Sequence, residues 1–389
     1  MRIKSRGKVN PIKIISEEQK MKRLFKITAA LIAITLLPVM QLHAEAEEPL
    51  TVYTIAGIGS SGIQDGEAAS FHMPMGLLVL PGGEIIVADT YNNLLRRIDA
   101  EGMTETFAGA VFEFFPLGVH LDRELMEAGF HQPAGLAVCQ HGRIYVADSA
   151  NSSIRAVIGD RVYTLVSWGE PGFADGPRGE ASMNGPLALT VGPSGYIYVA
   201  DTLNHVIRRV SLTGHTTTIA GVPGEYGYEN GNADAALFDS PSGIVVAADG
   251  RIFVADTGNH VIRVIENGMV STFAGSFTLE ELDEDDPEAT AIGGFAGGEA
   301  AYAMFNHPRG LALWGEYLIV ADSANHGIRL VSPEGYVTTL AGTGMPGYLA
   351  EPGRPALFSF PTDVFVHEDR LYVADAGNNK IRMIPLYVE

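Results

Sequence analysis

Residues 238–263 read FDSPSGIVVAADGRIFVADTGNHVIR, and this stretch decides the fold because its landmarks recur throughout the chain. Within it, Val254-Ala255-Asp256 is followed by Asn three residues later and by Arg263 seven residues later. The same spacing of Asp and Arg recurs in five further copies: Asp89 with Arg96, Asp148 with Arg155, Asp201 with Arg208, Asp322 with Arg329, and Asp375 with Arg382. Each Asp follows a proline by 14 or 15 residues, and a Phe usually stands three residues before that proline. Self-similarity of this kind indicates a repeat architecture.

The segments between these landmarks are short, apolar and separated by turn residues. Sequences such as Pro81-Gly-Gly and Ala248-Asp-Gly divide each repeat into four predicted strands. Only seven residues follow Arg382, too few for a fourth strand, whereas an extra copy of that strand, TVYTIAG, lies at 51–57. We therefore predict an all-β, six-bladed propeller of four-stranded blades, in which the N-terminal strand completes the C-terminal blade and closes the ring.

The repeats resemble a known family. The combination of Phe-x-x-Pro-x-Gly, Val-Ala-Asp-[Ser/Thr]-x-Asn-His-x-Ile-Arg and Thr-x-Ala-Gly is similar to the NHL repeat, and the copies cover residues 51–389. This resemblance implies a six-bladed propeller of the type found in secreted bacterial NHL repeat proteins. It does not by itself imply an activity, because NHL-like propellers include protein-binding, RNA-binding and catalytic modules.

The first 46 residues have the pattern of an export signal. From Met21, the basic segment MKRLFK precedes an apolar run at 27–40 and a small-residue site at Ala44 and Ala46. The run is shorter than the ~20 residues that span a bilayer. We predict a signal peptide at 1–46, with Met21 as its start, and a single propeller domain at 47–389. The expected location is extracellular or in the cell envelope, without stable membrane insertion after cleavage.

The charge of the chain limits its partners. The sequence has 26 Lys and Arg against 46 Asp and Glu, and residues 1–46 hold nine of the cations and three of the acids. The predicted mature chain therefore has a net charge of −26, which argues against nucleic-acid binding. One cysteine, Cys139, excludes an internal disulfide framework. We expect a monomeric, acidic protein.

The repeated Asp and Arg residues are interpreted as structural. A functional centre is normally unique, whereas these residues recur in every repeat at one spacing. We expect each Asp to accept backbone N–H groups of the following turn, and each Arg to reach that Asp or a neighbouring blade. His205, His260 and His326 occupy one repeat position, four residues after the Asp. Since they fall in corresponding turns of different blades, hydrogen-bonding turn histidines are favoured over a zinc site.

Candidate binding residues lie where the chain leads into the predicted inner strands. These residues, two before to one after the prolines, include His72, His131, Asp239, Asn306, His307 and Arg309. His72, His131, Asp239 and His307 would bind a divalent ion, Ca²⁺ or Zn²⁺, if they met around the axis. No catalytic motif accompanies them, so no cofactor is predicted and this metal site remains an alternative.

Two long connections break the regularity of the repeats. One, between Gly109 and Pro133, contains the clustered aromatic residues Phe114 and Phe115 and is a candidate binding loop. The other contains LEELDEDDPE at 279–288, which lacks the ligand spacing of an EF-hand and is favoured as a solvated acidic loop.

These features together predict a secreted, non-catalytic binding or scaffold propeller. Its ligand, a protein or a cell-surface glycan, is expected on the face where the inner strands begin. The alternative is a metal-assisted lyase or lactonase with its site at the mouth of the central channel, where related propeller enzymes have theirs.

Overall fold

The computed structural model describes residues 50–111, 118–278, 291–351 and 354–386. They form six antiparallel sheets of four strands, one of which gains a two-residue fifth strand. The first strand of each sheet contacts the first strand of the next, and the sixth contacts the first, so the sheets form a ring. The predicted six-bladed β-propeller is confirmed.

The strands of each blade are given from the axis outward. Blade 1 contains Pro74–Val79, Ile85–Asp89, Leu94–Ile98 and Thr104–Ala108. Blade 2 contains Pro133–Val138, Ile144–Asp148, Ser153–Ile158 and Arg161–Val166. Blade 3 contains Ala188–Val191, Ile197–Asp201, Val206–Val210 and Thr216–Ala220.

Blades 4 to 6 follow the same plan. Blade 4 contains Gly243–Val246, Ile252–Asp256, Val261–Glu266 and Met269–Ala274, flanked by Gly231–Asn232. Blade 5 contains Pro308–Trp314, Tyr317–Asp322, Gly327–Val331 and Val337–Gly342. Blade 6 contains Pro361–His367, Arg370–Asp375, Lys380–Pro385 and Tyr53–Ala56.

The helical segments are single 3₁₀ turns. Five of them follow the second strand of a blade, at Thr90–Asn92, Ser149–Asn151, Thr202–Asn204, Ser323–Asn325 and Ala376–Asn378. Another, Leu125–Glu127, lies between blades 1 and 2. Among the described residues, no helix is long and apolar enough to cross a membrane.

The N-terminal strand closes the ring as predicted. Tyr53–Ala56 pairs antiparallel with the third strand of blade 6, with Tyr53 opposite Met383 and Thr54 opposite Arg382. Residues more than 320 positions apart in sequence therefore share one sheet, and the third strand of blade 6 has no open edge.

The hydrophobic core is divided among the seams between blades. One apolar cluster fills the seam between each pair of neighbouring blades, including the seam between blades 6 and 1. The repeated Phe is fully buried in these seams, as Phe238 is between blades 3 and 4. Because a blade packs on both faces, its second strand is buried along most of its length, and Ile252–Asp256 is buried throughout. This burial explains why the second strands read as continuous apolar runs.

The inner strands approach one another closely around the axis. A Cβ added at Gly76 would collide with the Ala134 carbonyl oxygen, and one added at Gly243 with the Arg309 carbonyl oxygen. Glycine in the Pro-x-Gly landmark therefore permits the close backbone contact of these inner strands with their neighbours; blades 3 and 6 have Ala188 and Asp363 instead.

The antiparallel order of strands gives the propeller two distinct faces. Inner strands begin, and second strands end, on the face that also carries the turns after the repeated Asp; we call it the mouth face. The turns between first and second strands lie on the opposite face.

Candidate functional site

The repeated Asp holds its blade together from a buried position. In blade 4, Asp256 Oδ2 accepts hydrogen bonds from Arg263 Nη1 at 2.7 Å and from Asn259 Nδ2 at 2.9 Å. Asp256 Oδ1 accepts the N–H of Asp239 at 2.7 Å. The predicted backbone bonds from the following turn are absent at the described Asp-capped 3₁₀ turns, and the connection before the inner strand supplies the N–H donor instead. The Asp thus fixes the path of the connection as it reaches the mouth.

The repeated Arg pairs with the Asp of its own blade. The Nη1–Oδ2 distance is 2.6–2.9 Å in every blade, and both side chains are almost completely buried. The six arginines that make this pair are Arg96, Arg155, Arg208, Arg263, Arg329 and Arg382. The structural interpretation of these arginines is consistent with this burial.

The alternative that these arginines reach a neighbouring blade is wrong. The second guanidinium nitrogen of each donates to the connection that precedes its own blade. Arg155 Nη2 donates to the Leu121 carbonyl oxygen at 3.0 Å, and Arg208 Nη2 to the Ala174 carbonyl oxygen at 2.7 Å. Arg329 Nη2 donates to the Ala296 carbonyl oxygen at 2.8 Å. The reason is that this connection pairs with the outer strand of its own blade, as Gly176 does with Thr216, which brings its carbonyl groups within reach of the guanidinium.

Some of these arginines also have a second carboxylate, which the sequence analysis did not predict. Arg155 Nη2 lies 2.7 Å from Asp122 Oδ1, and Arg208 Nη2 lies 2.8 Å from Asp175 Oδ1. These two acids are partly exposed, whereas the repeated Asp is buried. The second carboxylate therefore adds an ion pair at the surface end of the guanidinium and leaves the buried pair unchanged.

The repeated Arg also packs against the repeated Phe. In blade 4 the Arg263 guanidinium lies over the Phe238 ring, at 5.1 Å, and donates to the carbonyl oxygens of Leu237 and Glu229. One side chain therefore ties together the turn, the buried Phe and the preceding connection.

Burial opposes the charge on the repeated carboxyl groups. It raises the pKa of Asp256 to about 6, and the contacts with Arg263, Asn259 and the Asp239 N–H limit that rise. The pKa of Asp322 is raised to about 6 for the same reason. Both groups are ionised at neutral pH and pair with their Arg.

The residues four positions after the Asp join neighbouring blades. They adopt left-handed backbone, and each accepts the N–H of the residue before the next blade's proline. The bonds are Asn93 to Gln132, Ser152 to Gly185, His205 to Ser240, His260 to His307, His326 to Phe360 and Asn379 to Met73. The three histidines therefore use Nδ1 as an acceptor and lie in separate seams.

A central cavity of about 350 Å³ runs between the inner strands. Many of its lining residues are aliphatic, with Leu77, Leu136 and Leu187 among them, but polar and apolar groups contribute about equally to its surface. The charged residues of the lining are Arg309 and Asp363. Of the candidate residues predicted from sequence, Arg309 is the one that lines this cavity.

Arg309 stands one residue after its proline, where the other blades have uncharged side chains. Those are Met75, Ala134, Leu187, Ser242 and Thr362. The guanidinium lies over the Phe360 ring at 5.2 Å, and its Nε is buried without a hydrogen-bond partner among the described residues. Burial lowers the pKa of Arg309, and Tyr91 opposes that effect.

Asp363 occupies the position of the repeat glycine in blade 6. Its Oδ2 accepts the N–H of Leu77 in blade 1 at 3.0 Å, and its Oδ1 accepts the N–H of Val364 at 2.9 Å. Burial raises the pKa of Asp363 to about 7, and these two N–H groups limit the rise. This residue was not among those predicted from sequence. The charged side chain at a position that holds Gly in four copies and Ala188 in another was the signal that could have identified it.

The remaining candidates lie on the rim of the mouth. The backbone N–H groups of His72, His131 and Asn306 donate to Oδ1 of Asp89, Asp148 and Asp322, respectively. Asp239 approaches His205, with 3.6 Å between Oδ1 and Nδ1. His307 Nδ1 lies 2.9 Å from Asn306 Oδ1.

The pKa of His260, in the turn of blade 4, is lowered. Burial and then the nearby His307 lower the pKa of His260 to about 4. In the part of the chain that the structure describes, no three His, Cys, Asp or Glu side chains are grouped so as to hold a metal ion. His72, His131, Asp239 and His307 belong to separate blades and do not converge there.

Two exposed tyrosines on the mouth face were also missed from sequence. Tyr91, in the turn of blade 1, is 49% exposed and makes an edge contact with His72 at 5.2 Å. Tyr226 is 62% exposed and lies 5.7 Å from His205. Their positions in irregular loops carry no periodic signal that distinguishes exposed from buried aromatics.

Three predictions fall outside the described residues. They are the signal peptide at 1–46, the aromatic pair Phe114 and Phe115, and the acidic run at 279–288.

Sequence comparisons agree with the repeat. The NHL repeat profile matches residues 130–156 and 238–265. The chain is 27% identical over 358 residues to NHL repeat-containing protein 2 of Bos taurus, covering 81% of this chain and 47% of that protein. It is 30% identical over 289 residues to Protein SUPPRESSOR OF QUENCHING 1, chloroplastic, of Arabidopsis thaliana, covering 55% and 27%. The chain thus spans about half or less of the length of these curated relatives.

Solved structures share the architecture. An auxiliary nutrient binding protein from Bacteroides thetaiotaomicron VPI-5482 superimposes with a TM-score of 0.63 at 14% identity, over 87% of this chain and 76% of that one. One from Bacteroides ovatus ATCC 8483 gives a TM-score of 0.62 at 17% identity, over 87% and 77%. Together, the repeat matches, the NHL repeat-containing relatives and the six-bladed ring support an NHL-repeat propeller family for this chain.

Proposed function

We propose that this chain is a secreted, non-catalytic binding propeller that engages a protein or glycan ligand on its mouth face. The observation that carries the proposal is the pair of exposed tyrosines beside histidines on that face, His72–Tyr91 and His205–Tyr226. Tyrosine offers a large, nearly rigid contact surface with a polar tip, which suits both protein and sugar ligands.

The scaffold beneath these residues supports a preorganised surface. Tyr91 lies between Asp89, which is buried and paired with Arg96, and Asn93, which bonds to Gln132 of the next blade. His205 is fixed by its own bond to Ser240. A ligand that docks on these turns meets side chains whose backbone is already ordered, so little ordering entropy opposes binding.

The net negative charge of the chain limits the class of ligand it can bind. With the predicted signal removed, the chain has 17 Lys and Arg against 43 Asp and Glu. A nucleic acid or another strongly anionic polymer would be repelled at long range, whereas a neutral glycan or a neutral to basic protein would not.

The comparisons are compatible with a binding role. Two propellers of this fold are described as auxiliary nutrient binding proteins. At 14% and 17% identity these likenesses establish the fold, so the proposal depends on the mouth-face residues of this chain.

The test uses a double variant, Tyr91→Ala with Tyr226→Ala, on glycan and protein arrays. We expect wild-type protein to bind a discrete set of spots and the variant to lose them, with its melting temperature nearly unchanged. The matched control is Tyr196→Ala, which removes a 40% exposed tyrosine from the opposite face. Binding that survives in the double variant, or disappears in the Tyr196→Ala protein, would contradict the mouth-face assignment.

Secretion has its own test. N-terminal sequencing of protein recovered from the envelope or the medium should begin at Glu47 if cleavage follows Ala46. Retention of the full length in the cytoplasm would contradict export.

A further inference from the structure

Arg309 can be compared with the six repeated arginines of the same chain. Arg263 and its five counterparts are fully or almost fully buried, and each pairs with an Asp at 2.6–2.9 Å. Arg309 is only partly buried; its Nε lacks a hydrogen-bond partner as theirs do, but no carboxylate pairs with its guanidinium among the described residues. Its neighbour is the Phe360 ring at 5.2 Å, which does not accept a hydrogen bond along the plane of the guanidinium.

Partial burial of an unpaired cation such as Arg309 is destabilising. Removing a guanidinium from water without a counter-ion costs several kcal/mol in general, and a cation–π contact restores only part of this. The inner strand does not require an arginine here, because the equivalent positions hold Met75, Ala134, Leu187, Ser242 and Thr362. A residue that the fold neither needs nor pairs is best explained by a ligand that pairs with it.

The channel below Arg309 has room for a small molecule. A volume of about 350 Å³ lies at the lower end of the range of small-molecule sites, and the inner strands line it with aliphatic side chains. The guanidinium at its mouth is a fork that matches an oxyanion with two parallel oxygens.

We propose that the central channel binds a small carboxylic acid, whose carboxylate pairs with Arg309 and whose apolar body lies along the inner strands. This inference goes beyond the proposed function, because it places a small ligand inside the ring, in a cavity whose lining does not include Tyr91 or Tyr226. Asp363 also lines this cavity. Its carboxyl group would repel a dianion more strongly than a monoanion, so a carboxylate is preferred over a phosphate dianion.

The test is calorimetric titration of the whole protein with hexanoate, hexan-1-ol and hexyl phosphate. We expect saturable binding of hexanoate, with affinity at least tenfold above that of the other two probes, about 1.4 kcal/mol. The Arg309→Met and Arg309→Gln proteins should each weaken hexanoate at least tenfold. Arg209→Met is the control, because Arg209 is a partly exposed arginine held over the Tyr196 ring. It should change the affinity less than twofold.

Three results would overturn the proposal. They are no hexanoate binding at millimolar concentration, equal binding by wild type and both Arg309 variants, or tighter binding of hexyl phosphate. Thermal melts of the same proteins confirm that the variants are folded. Because Tyr91 and Tyr226 are untouched, failure here leaves the mouth-face proposal standing, and failure of the array experiment leaves this one standing.

Discussion

The six buried Asp–Arg pairs and the lining of the central channel use the same kinds of side chain for opposite purposes. In blade 4, Asp256 and Arg263 satisfy each other and also bind the turn and the connection. In the channel, Arg309 and Asp363 each interrupt the repeat, and no ion pair joins them in the described structure. The comparison teaches that residues shared by every blade stabilise the ring, and residues that depart from the repeat are the candidates for function.

The largest effect expected is from removal of the strand that closes the ring. Deleting residues 51–57 leaves the third strand of blade 6 with an unpaired edge and opens the seam between blades 6 and 1. We expect the melting temperature to fall by more than ~10 °C, because 1 kcal/mol shifts a domain of this size by about 2 °C or more and a whole strand is lost. A deletion protein that melts within a few degrees of wild type, by calorimetry, would show that closure contributes little.

Breaking one buried pair should have the next largest effect. Asp256→Ala leaves Arg263 buried without its carboxylate, which generally costs about 3–5 kcal/mol. Denaturant unfolding measures the loss. The control is Asp249→Ala, which removes an exposed carboxylate paired with Arg251 at 2.8 Å and should leave stability unchanged. Equal stability of the two variants would remove the distinction between scaffold and surface acids.

Asp363 should give the propeller a specific pH dependence. Its pKa is about 7 when folded and about 3.8 when unfolded, so the folded state binds more protons between these values. The unfolding free energy of wild type, relative to Asp363→Asn, should therefore fall by ~1–3 kcal/mol from pH 4 to pH 7 and stay level above it. Contributions of Asp256 and Asp322 cancel in this difference. Parallel pH curves for the two proteins would contradict the raised pKa.

The smallest effect concerns the seam that closes the ring. In the other seams a Ser or Thr directly after the repeated Asp donates to the next blade's proline carbonyl, as Ser323 does to Pro361 at 2.6 Å. Blade 6 has Ala376 there, and the Pro74 carbonyl instead accepts a 3.3 Å bond from Thr362. Ala376→Ser should stabilise by about 0.5 kcal/mol, and Ser323→Ala should destabilise by about 1 kcal/mol. A destabilising Ala376→Ser would show that this seam is built differently.

The fold was predictable because its information is periodic. Six copies of one spacing define the blades, and the displaced strand at 51–57 defines the closure. The partners of the repeated Asp and Arg were not predictable in full. The N–H donor to Asp256 is Asp239, 17 residues earlier, and the second carboxylate on Arg155 is Asp122, 33 residues earlier. Only the return of the connection over the blade brings these groups together.

The candidate site was predictable only in part because convergence around an axis is a property of the whole ring. His72 and His131 have equivalent positions in sequence. The backbone N–H of each donates to the repeated Asp of its own blade, and neither residue lines the cavity. Arg309 does line it. Its lack of a partner could not be inferred from a sequence in which each of the six repeated arginines has an Asp seven residues away.

The central claim is that Arg263, which is buried and paired, belongs to the scaffold, whereas Arg309, which is partly buried and unpaired, does not, and one measurement tests it directly. Arg263→Met and Arg309→Met are unfolded side by side in denaturant, without added ligand. We expect Arg263→Met to lose ~3 kcal/mol or more of stability, because Asp256 is left buried and unpaired. Arg309→Met should be as stable as wild type or more so, because an uncompensated cation is replaced by an apolar side chain of similar length. An Arg309→Met protein as destabilised as Arg263→Met would show that Arg309 belongs to the scaffold, and would contradict the account.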